Sequence, residues 1–421
     1  MTTPDAAEPH GTPPRPAASP PNAPLPPGGP PQASGSPAPG GAPQASAPRP
    51  TPLLGVHKRL GATMTGFAGW LMPLRYRSET AEHQAVRRAA GLFDLSHMGE
   101  IAVTGPGAGA ALDYAVTGQP SALPPGRARY TMICADNGGV LDDLIIYRLA
   151  DEEFLVVANA ANTQVVHEAI AQRADGHDAL VSDRTADYAL IAIQGPAAAR
   201  ILGPLTDIPL GGVKYYSGHR ARVSGRDVLL ARTGYTGEDG FELFTTPEDA
   251  EDVWEALAEA GSGDGLTAAG LAARDTLRLE AGMPLYGNEL GPEMTPFDAG
   301  LGRVVRFDKP DSFVGRAALE ARAGEGPRRV LVGLKGATRR VPRHGYAVLW
   351  DGQARGTVTS GAPSPTLGVP IAMAYVDPEV ARLARTDTTG TDTTGRALAV
   401  DIRGSAEPAR LVDLPFYRRA D

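Results

Sequence analysis

The sequence predicts an α+β protein that closes on an all-β domain. Two apolar hairpins, at 140–159 and 227–246, alternate with stretches of helical periodicity. From Arg328 onward, short apolar runs are separated by Gly, Pro and Ser turns, the spacing of a small sandwich or barrel. The chain has 421 residues, enough for two or three domains at about 100–200 residues each.

Residues 1–50 stand apart. They hold 17 of the 39 prolines and only Met1 and Leu25 as large apolar side chains. Such a segment cannot bury enough apolar surface to offset its ordering entropy, so it is expected to be a disordered tail. Ordered sequence is expected from Thr51-Pro52-Leu53-Leu54 onward. Ser78 is placed to cap a helix running through Ala90, with Gly91 just past its end. Residues 140–149 read as a strand, the polar turn at 150–153 as a reversal, and 154–159 as the returning strand. In the second hairpin, three glycines fall within Gly234-Tyr-Thr-Gly-Glu-Asp-Gly240, more than a simple reversal needs. Thr246 and Pro247 start an amphipathic helix with Val253, Trp254, Leu257 and Ala258 on its apolar side. A further helix is expected at about 268–281. The closing domain offers strands at 330–334, 346–349, 356–359, 371–376 and 398–402, and the doubled pentapeptide at 386–395 reads as a loop insertion.

Composition removes several classes. Net charge is −8, from 40 Lys+Arg against 48 Asp+Glu, which gives no basic footprint for nucleic acid. No run of about 18 apolar residues suggests a membrane span. No basic patch followed by an apolar stretch marks a secretory signal, so a cytoplasmic protein is expected. The lone Cys134 excludes an intrachain disulfide and a cysteine-based zinc cluster.

Some segments carry chemistry. Gly105-Pro-Gly-Ala-Gly109 lacks dinucleotide spacing, and Pro106 removes an amide that would face a phosphate, so a strand-to-helix turn is expected. Asp142 and Asp143 sit inside an apolar strand. Alternation puts Asp143 with Leu141, Ile145 and Tyr147 on one face, and Asp142 with Leu144 and Ile146 on the other. Either carboxylate can cap the preceding Asn137-Gly-Gly139 turn, or face a cleft as a proton acceptor. Glu242 lies between Phe241 and Leu243, and Arg274 lies one helical turn before Arg278. A buried Arg–Glu ion pair accounts for both; so does a ligand offering an amide-like edge to Glu242 and an anion or carbonyl to Arg274. His97, without a second ligand at metal spacing, reads as structural.

Taken together, the segments resemble the aminomethyltransferase (T protein) family of the glycine cleavage system. The resemblance is carried by Phe67-Ala-Gly-Trp-Leu-Met-Pro73, Gly91-Leu-Phe-Asp-Leu-Ser-His-Met-Gly-Glu100, and Tyr130 through Leu144 with its Asn-Gly-Gly-Val-Leu-Asp-Asp. It continues through Asn159-Ala-Ala-Asn162, Gln194-Gly-Pro196, Arg232-Thr-Gly-Tyr-Thr-Gly-Glu-Asp-Gly-Phe-Glu242, Ala273-Arg-Asp275, Leu279-Glu-Ala-Gly282, Ser364-Pro-Thr-Leu-Gly368 and Pro415-Phe-Tyr-Arg418. These run in the family's order across the whole expected folded part. Departures are the Pro-rich tail, Ala135 after the Cys where the family usually has Asn, and the Thr-Asp repeat.

The resemblance implies a three-lobed fold: two interleaved α+β lobes over 51–326 around a folate site, and a jelly-roll-like β-barrel domain over 327–421. It implies transfer of the one-carbon unit from an aminomethyl group on the lipoyl arm of H protein to tetrahydrofolate, with release of ammonia. Tetrahydrofolate is a co-substrate; no metal and no flavin are implied. The partners would be lipoylated H protein and the other glycine cleavage components, met by a monomer. By position, Asp143 matches the catalytic aspartate and Glu242 the acid that binds the pterin. Arg274 and Tyr417 match folate-binding residues, and Met98, Tyr130, Asn159 and Tyr235 match residues lining the folate hole. Two alternatives share the fold: a non-catalytic folate-binding regulator, and a folate-dependent demethylase. Regulators tend to lose the acid and arginine positions, whereas Asp143, Glu242 and Arg274 are all present here. Demethylases that oxidise their substrate carry a flavin domain, for which this length leaves no room.

Overall fold

The structure is a computed structural model that describes residues 47–385 and 398–419. Most of the expected tail and the repeat at 386–395 lie outside the described residues. The α+β reading holds. Arg49–Pro50 runs parallel to Trp70–Arg75, which pairs antiparallel with Thr63–Phe67. A six-stranded sheet has the order Gly218–Val223, Arg226–Ala231, Gly240–Thr245, Ala189–Gln194, Ala90–Asp94, Leu266–Ala268. A five-stranded sheet has the order Arg127–Cys134, Val140–Ala150, Glu153–Ala158, Gly99–Thr104, Leu180–Asp183. Its residues fall between two stretches of the six-stranded sheet.

The central strands of the two larger sheets are buried on both faces, which is why they read as nearly continuous apolar runs. The outer face of the six-stranded sheet packs Ile191, Ile193, Phe241 and Leu243 against Val253, Trp254 and Leu257 of the helix Ala250–Ala260. The outer face of the five-stranded sheet packs Ile101, Leu144, Ile146 and Val156 against the helices Ala108–Ala115 and Thr163–Arg173. The inner faces share one core, where Tyr147, Leu155 and Val157 meet Leu190, Leu229 and Phe244. The helix Leu271–Glu280 adds Ala273 and Leu277 to that core.

The last domain is a closed six-stranded barrel in the order Val330–Gly336, Pro370–Val376, Gln353–Pro363, Ala347–Trp350, Leu398–Ile402, Ser405–Val412. Five of the strands match expected ones. The sixth, Ser405–Val412, was not expected, because Glu407, Pro408 and Arg410 break its apolar pattern; here its residues alternate between exposed and half-buried. The helix Pro378–Arg385 was likewise unexpected.

Three boundaries differ from expectation. The helix capped by Ser78 ends at Arg88, because the chain must turn at once into the strand starting at Ala90. The helix expected from Thr246 starts at Ala250, and Thr246 instead accepts the Asp249 amide at 3.3 Å. The helix expected at about 268–281 begins at Leu271, since 266–268 pairs in parallel with 90–92. The Gly105–Gly109 segment is the strand-to-helix turn expected, its Gly105 and Gly107 amides bonded to the Glu152 and Asp178 carbonyls.

Gly139, just before the aspartate pair, has no room for a side chain. A Cβ there would lie 2.0 Å from the Pro292 carbonyl oxygen. Gly139→Ala is therefore expected to lower stability by about 1–3 kcal/mol, as overpacking does, read as a lower urea midpoint at unchanged slope.

Candidate functional site

A cavity of about 440 Å³ opens between the inner faces of the two sheets. Asp143, Ile145 and Tyr147 line it from one strand, as the alternation predicted. Asp142 points the other way and is fully buried. The strand is bulged at Leu141, which has no partner opposite while Ile133 pairs with Asp142 and Cys134 with Val140.

Neither aspartate caps the preceding turn; Asn137 does, accepting the Gly139 amide at 3.0 Å. Both carboxylates gather on Asn159 instead. Its Nδ2 donates to Asp143 Oδ1 and to Asp142 Oδ1, each at 2.9 Å, and its backbone N–H donates to Asp142 Oδ2 at 2.9 Å. Asn162 Nδ2 adds a 2.7 Å bond to Asp142, and the Tyr130 hydroxyl donates to Asp143 Oδ2 at 3.0 Å. Burial pushes the Asp143 carboxyl up to about 6, with Tyr130 and Asn159 holding it back from going further. Burial and then the charge of Asp143 push Asp142 up to about 7.

Glu242 lies on Gly240–Thr245 and also lines the cavity. It accepts a short hydrogen bond from the Thr233 hydroxyl, which is itself 2.9 Å from the Tyr147 hydroxyl. Burial raises its pKa against the opposing pull of Thr233 and Arg274. Arg274 lines the cavity with its guanidinium carbon 4.7 Å from the centre of the Tyr235 ring. The buried ion pair considered for Glu242 and Arg274 is absent. Among the described residues Arg274 has no ion pair, whereas Arg278 bonds to Glu289 at 3.1 Å and to Asp275 at 2.8 Å.

Met98, Tyr130, Asn159 and Tyr235 all line the cavity, so seven of the eight expected site residues are brought together. Tyr417 is the exception. Its ring lies under the Arg87 guanidinium at 4.1 Å, its amide donates to the Glu280 carbonyl, and Glu238 holds its hydroxyl, so it is not a cavity residue. Sequence reasoning missed Tyr216, which lines the cavity with a left-handed backbone at φ 56°. It also set His97 aside as structural. His97 lines the cavity, its Nδ1 is buried without a partner, and burial beside Arg274 pushes its pKa down to about 4, so the ring is neutral. No cluster of three or more His, Cys, Asp or Glu residues suited to a metal occurs among the described residues. No helix there is long and apolar enough to cross a membrane.

Residues 53–309 match the GCVT N-terminal domain family, and residues 329–418 match the glycine cleavage T-protein C-terminal barrel domain family. The chain is 61% identical over 375 residues to the aminomethyltransferase of Saccharopolyspora erythraea, covering 89% of this chain and 99% of that one. It is 61% identical over 378 residues to the aminomethyltransferase of Streptomyces avermitilis, covering 89% and 99%. The crystal structure of glycine cleavage system aminomethyltransferase T from Bartonella henselae superposes with a TM-score of 0.79 at 37% identity, covering 88% of this chain and 98% of that one. Fold and relatives thus define a one-carbon transferase of the aminomethyltransferase class. The chain belongs to the aminomethyltransferase family, the T proteins of the glycine cleavage system.

Both aspartates stand above their ordinary pKa in the fold, so the folded chain holds protons more tightly than the unfolded chain. Their contribution to stability is complete below about pH 4 and is lost as pH rises through about 6 to 7. Asp143→Asn removes one of these groups. Denaturation at pH 4.5 and pH 8 should show the variant gaining on the wild type at the higher pH; an unchanged difference would contradict the raised pKa.

Proposed function

We propose that the cavity binds tetrahydrofolate and that Asp143 is the residue that manages its proton. As an aminomethyltransferase, the protein transfers a one-carbon unit; the donor is proposed to be the aminomethyl group on the lipoyl arm of H protein. Bonds form from that carbon to the folate nitrogens as its bonds to sulfur and to the amine break, giving methylenetetrahydrofolate, ammonia and the reduced arm. The protons leaving the folate nitrogens go to the departing amine and sulfur. A carboxylate beside those nitrogens accepts or orients a proton as each carbon–nitrogen bond forms. The single observation that carries this reading is the setting of Asp143. It faces the cavity, is fixed by Tyr130 and Asn159, and is pushed up to about 6 by burial. The apolar walls keep water from the activated carbon, which would otherwise hydrolyse.

In this reading Glu242 accepts from the amino and ring N–H donors of the pterin. Arg274, with no ion pair of its own, is free to meet a carbonyl or carboxylate of the folate. Met98, Tyr130, Asn159 and Tyr235 shape the remaining walls, and we leave Tyr417 out of the contact set. The working domain division remains 51–326 and 327–421. We take the protein as a cytoplasmic monomer that meets H protein transiently.

The test is ammonia release from aminomethyl-loaded H protein with and without tetrahydrofolate. Asp143→Asn should cut folate-stimulated turnover by roughly 10²- to 10⁴-fold, the usual worth of general acid–base catalysis, while folate affinity changes little. If the wild type binds folate but shows no folate stimulation, the catalytic reading fails. Because Asp143 must be ionised to act, kcat/KM should rise with pH to a plateau, with its midpoint near 6. Glu242→Gln should mainly weaken folate binding, by roughly 10- to 100-fold for a lost hydrogen bond to a charged group, measured by titration calorimetry.

A further inference from the structure

No residue beyond Leu301 lines the cavity, so the barrel contributes no surface to it. Yet one cavity wall, running from Gly282 to Tyr286, is held from behind by barrel side chains. Glu289 Oε2 accepts the Leu285 amide at 2.9 Å and Arg278 Nη1 at 3.1 Å. Arg278 also reaches the Met283 carbonyl at 3.3 Å. The far side of the guanidinium ends on the barrel, where Nη2 donates to Ser360 Oγ at 2.8 Å. Asn288 donates to the same hydroxyl at 3.0 Å, and the Tyr375 hydroxyl donates to the Glu289 carbonyl at 2.6 Å. Arg278, Glu289, Ser360 and Tyr375 are all buried, so none of these bonds competes with bulk water.

The position of Ser360 depends on an irregularity in its strand. In the pairing of Gln353–Pro363 with Pro370–Val376, Val358 lies opposite Ala374 and Ser360 opposite Met373, leaving Thr359 without a partner. Val358 and Ala374 belong to the barrel interior. Met373 belongs to the outer cluster with Leu279 and Phe416. In an unbroken strand Val358 and Ser360 would share a face, and Ser360 would point into the barrel. The extra residue turns it outward, toward Arg278.

We propose that this bulge makes Ser360 a positioning residue for the transfer reaction, fixing the folate-facing wall through Arg278 and Glu289, with Tyr375 as its second anchor. The barrel then sets the geometry of a site it does not touch. Arg274 stands one helical turn before Arg278 on the same helix, so a looser Arg278 also loosens the free guanidinium that faces the ligand.

The test uses the full chain and the variants Ser360→Ala, Ser360→Thr and Tyr375→Phe. Glu407→Gln, on a barrel carboxylate bonded to Thr338 and Ser405, controls for general loss of barrel stability. Hydrogen exchange in the ligand-free protein reads the wall directly. The Leu285 amide should exchange about 2- to 30-fold faster in Ser360→Ala and Tyr375→Phe, the range of remote coupling energies. It should stay near wild type in Ser360→Thr and Glu407→Gln. In the ammonia-release assay Ser360→Ala and Tyr375→Phe should raise KM for tetrahydrofolate by about 2- to 30-fold with kcat largely kept. The kinetic arm rests on the folate reading and the exchange arm does not, so an inactive wild type would sink that reading while exchange still decides the clamp. A lowered melting temperature with unchanged Leu285 exchange would overturn the proposal and leave Ser360 a stability contact alone.

Discussion

Two carboxylates on consecutive residues of an otherwise apolar strand are the constraint that the rest of this site answers. Burying an ionised carboxylate is costly unless donors replace the water it loses, and burying two side by side adds their repulsion. The chain meets this by sending them to opposite faces and letting one amide, Asn159 Nδ2, donate to both. Asn162 completes the shell of Asp142, and Tyr130 that of Asp143. The turn from Asn159 to Asn162 and the bulge at Leu141 shape the backbone on either side of this arrangement. Burial still lifts both acids, Asp142 to about 7 and Asp143 to about 6, so the pair is not fully charged around neutrality.

The helix Leu271–Glu280 joins this site to the rest of the molecule. Leu277 enters the core between the sheets, Leu279 packs on the outer face of the barrel, and Arg274 faces the cavity. Its two arginines divide the labour by their partners. Arg278 is saturated by Asp275, Met283, Glu289 and Ser360, so it is architecture. Arg274 stacks on Tyr235 and keeps its donors for something else. Burial of this guanidinium without a direct ion pair lowers its pKa, against the more distant pull of Glu242.

Local rules carried much of this from the sequence. The alternation that separated Asp142 from Asp143, both hairpins and five of the six barrel strands follow from period-two patterning. What failed to show was non-local. Nothing near residue 266 announces that it will run parallel to Ala90–Asp94, and that pairing cost the following helix its first turn. Ser405–Val412 was hidden because Glu407, Pro408 and Arg410 interrupt its apolar run. Residue types allow either a Glu242–Arg274 ion pair or a ligand between them, and which arginine meets which acid is decided only when distant segments pack. Tyr417 lies outside the cavity lining for the same reason: Arg87, more than three hundred positions earlier, claims its ring.

His97 shows how far residue type and spacing reach. As a lone histidine it reads as structural, and by burial it is: neutral, edge-on to Phe67 at 5.6 Å, with no hydrogen bond to Nδ1. Yet buried polar atoms without partners are rare enough to need a reason. Five such side-chain atoms occur among the described residues, and one of them belongs to a residue lining this cavity. His97 lines it, Glu289 supports its wall, and Glu100 lies opposite the lining residue Val157 in the sheet. Tyr216 adds a strained backbone at the same place. A chain selected for stability alone would have satisfied or replaced these groups. In the folate reading proposed above, His97 stands in fixed orientation at the cavity where charge moves during the transfer. Electrostatic preorganisation of that kind lowers a barrier without reorganisation at the moment of reaction.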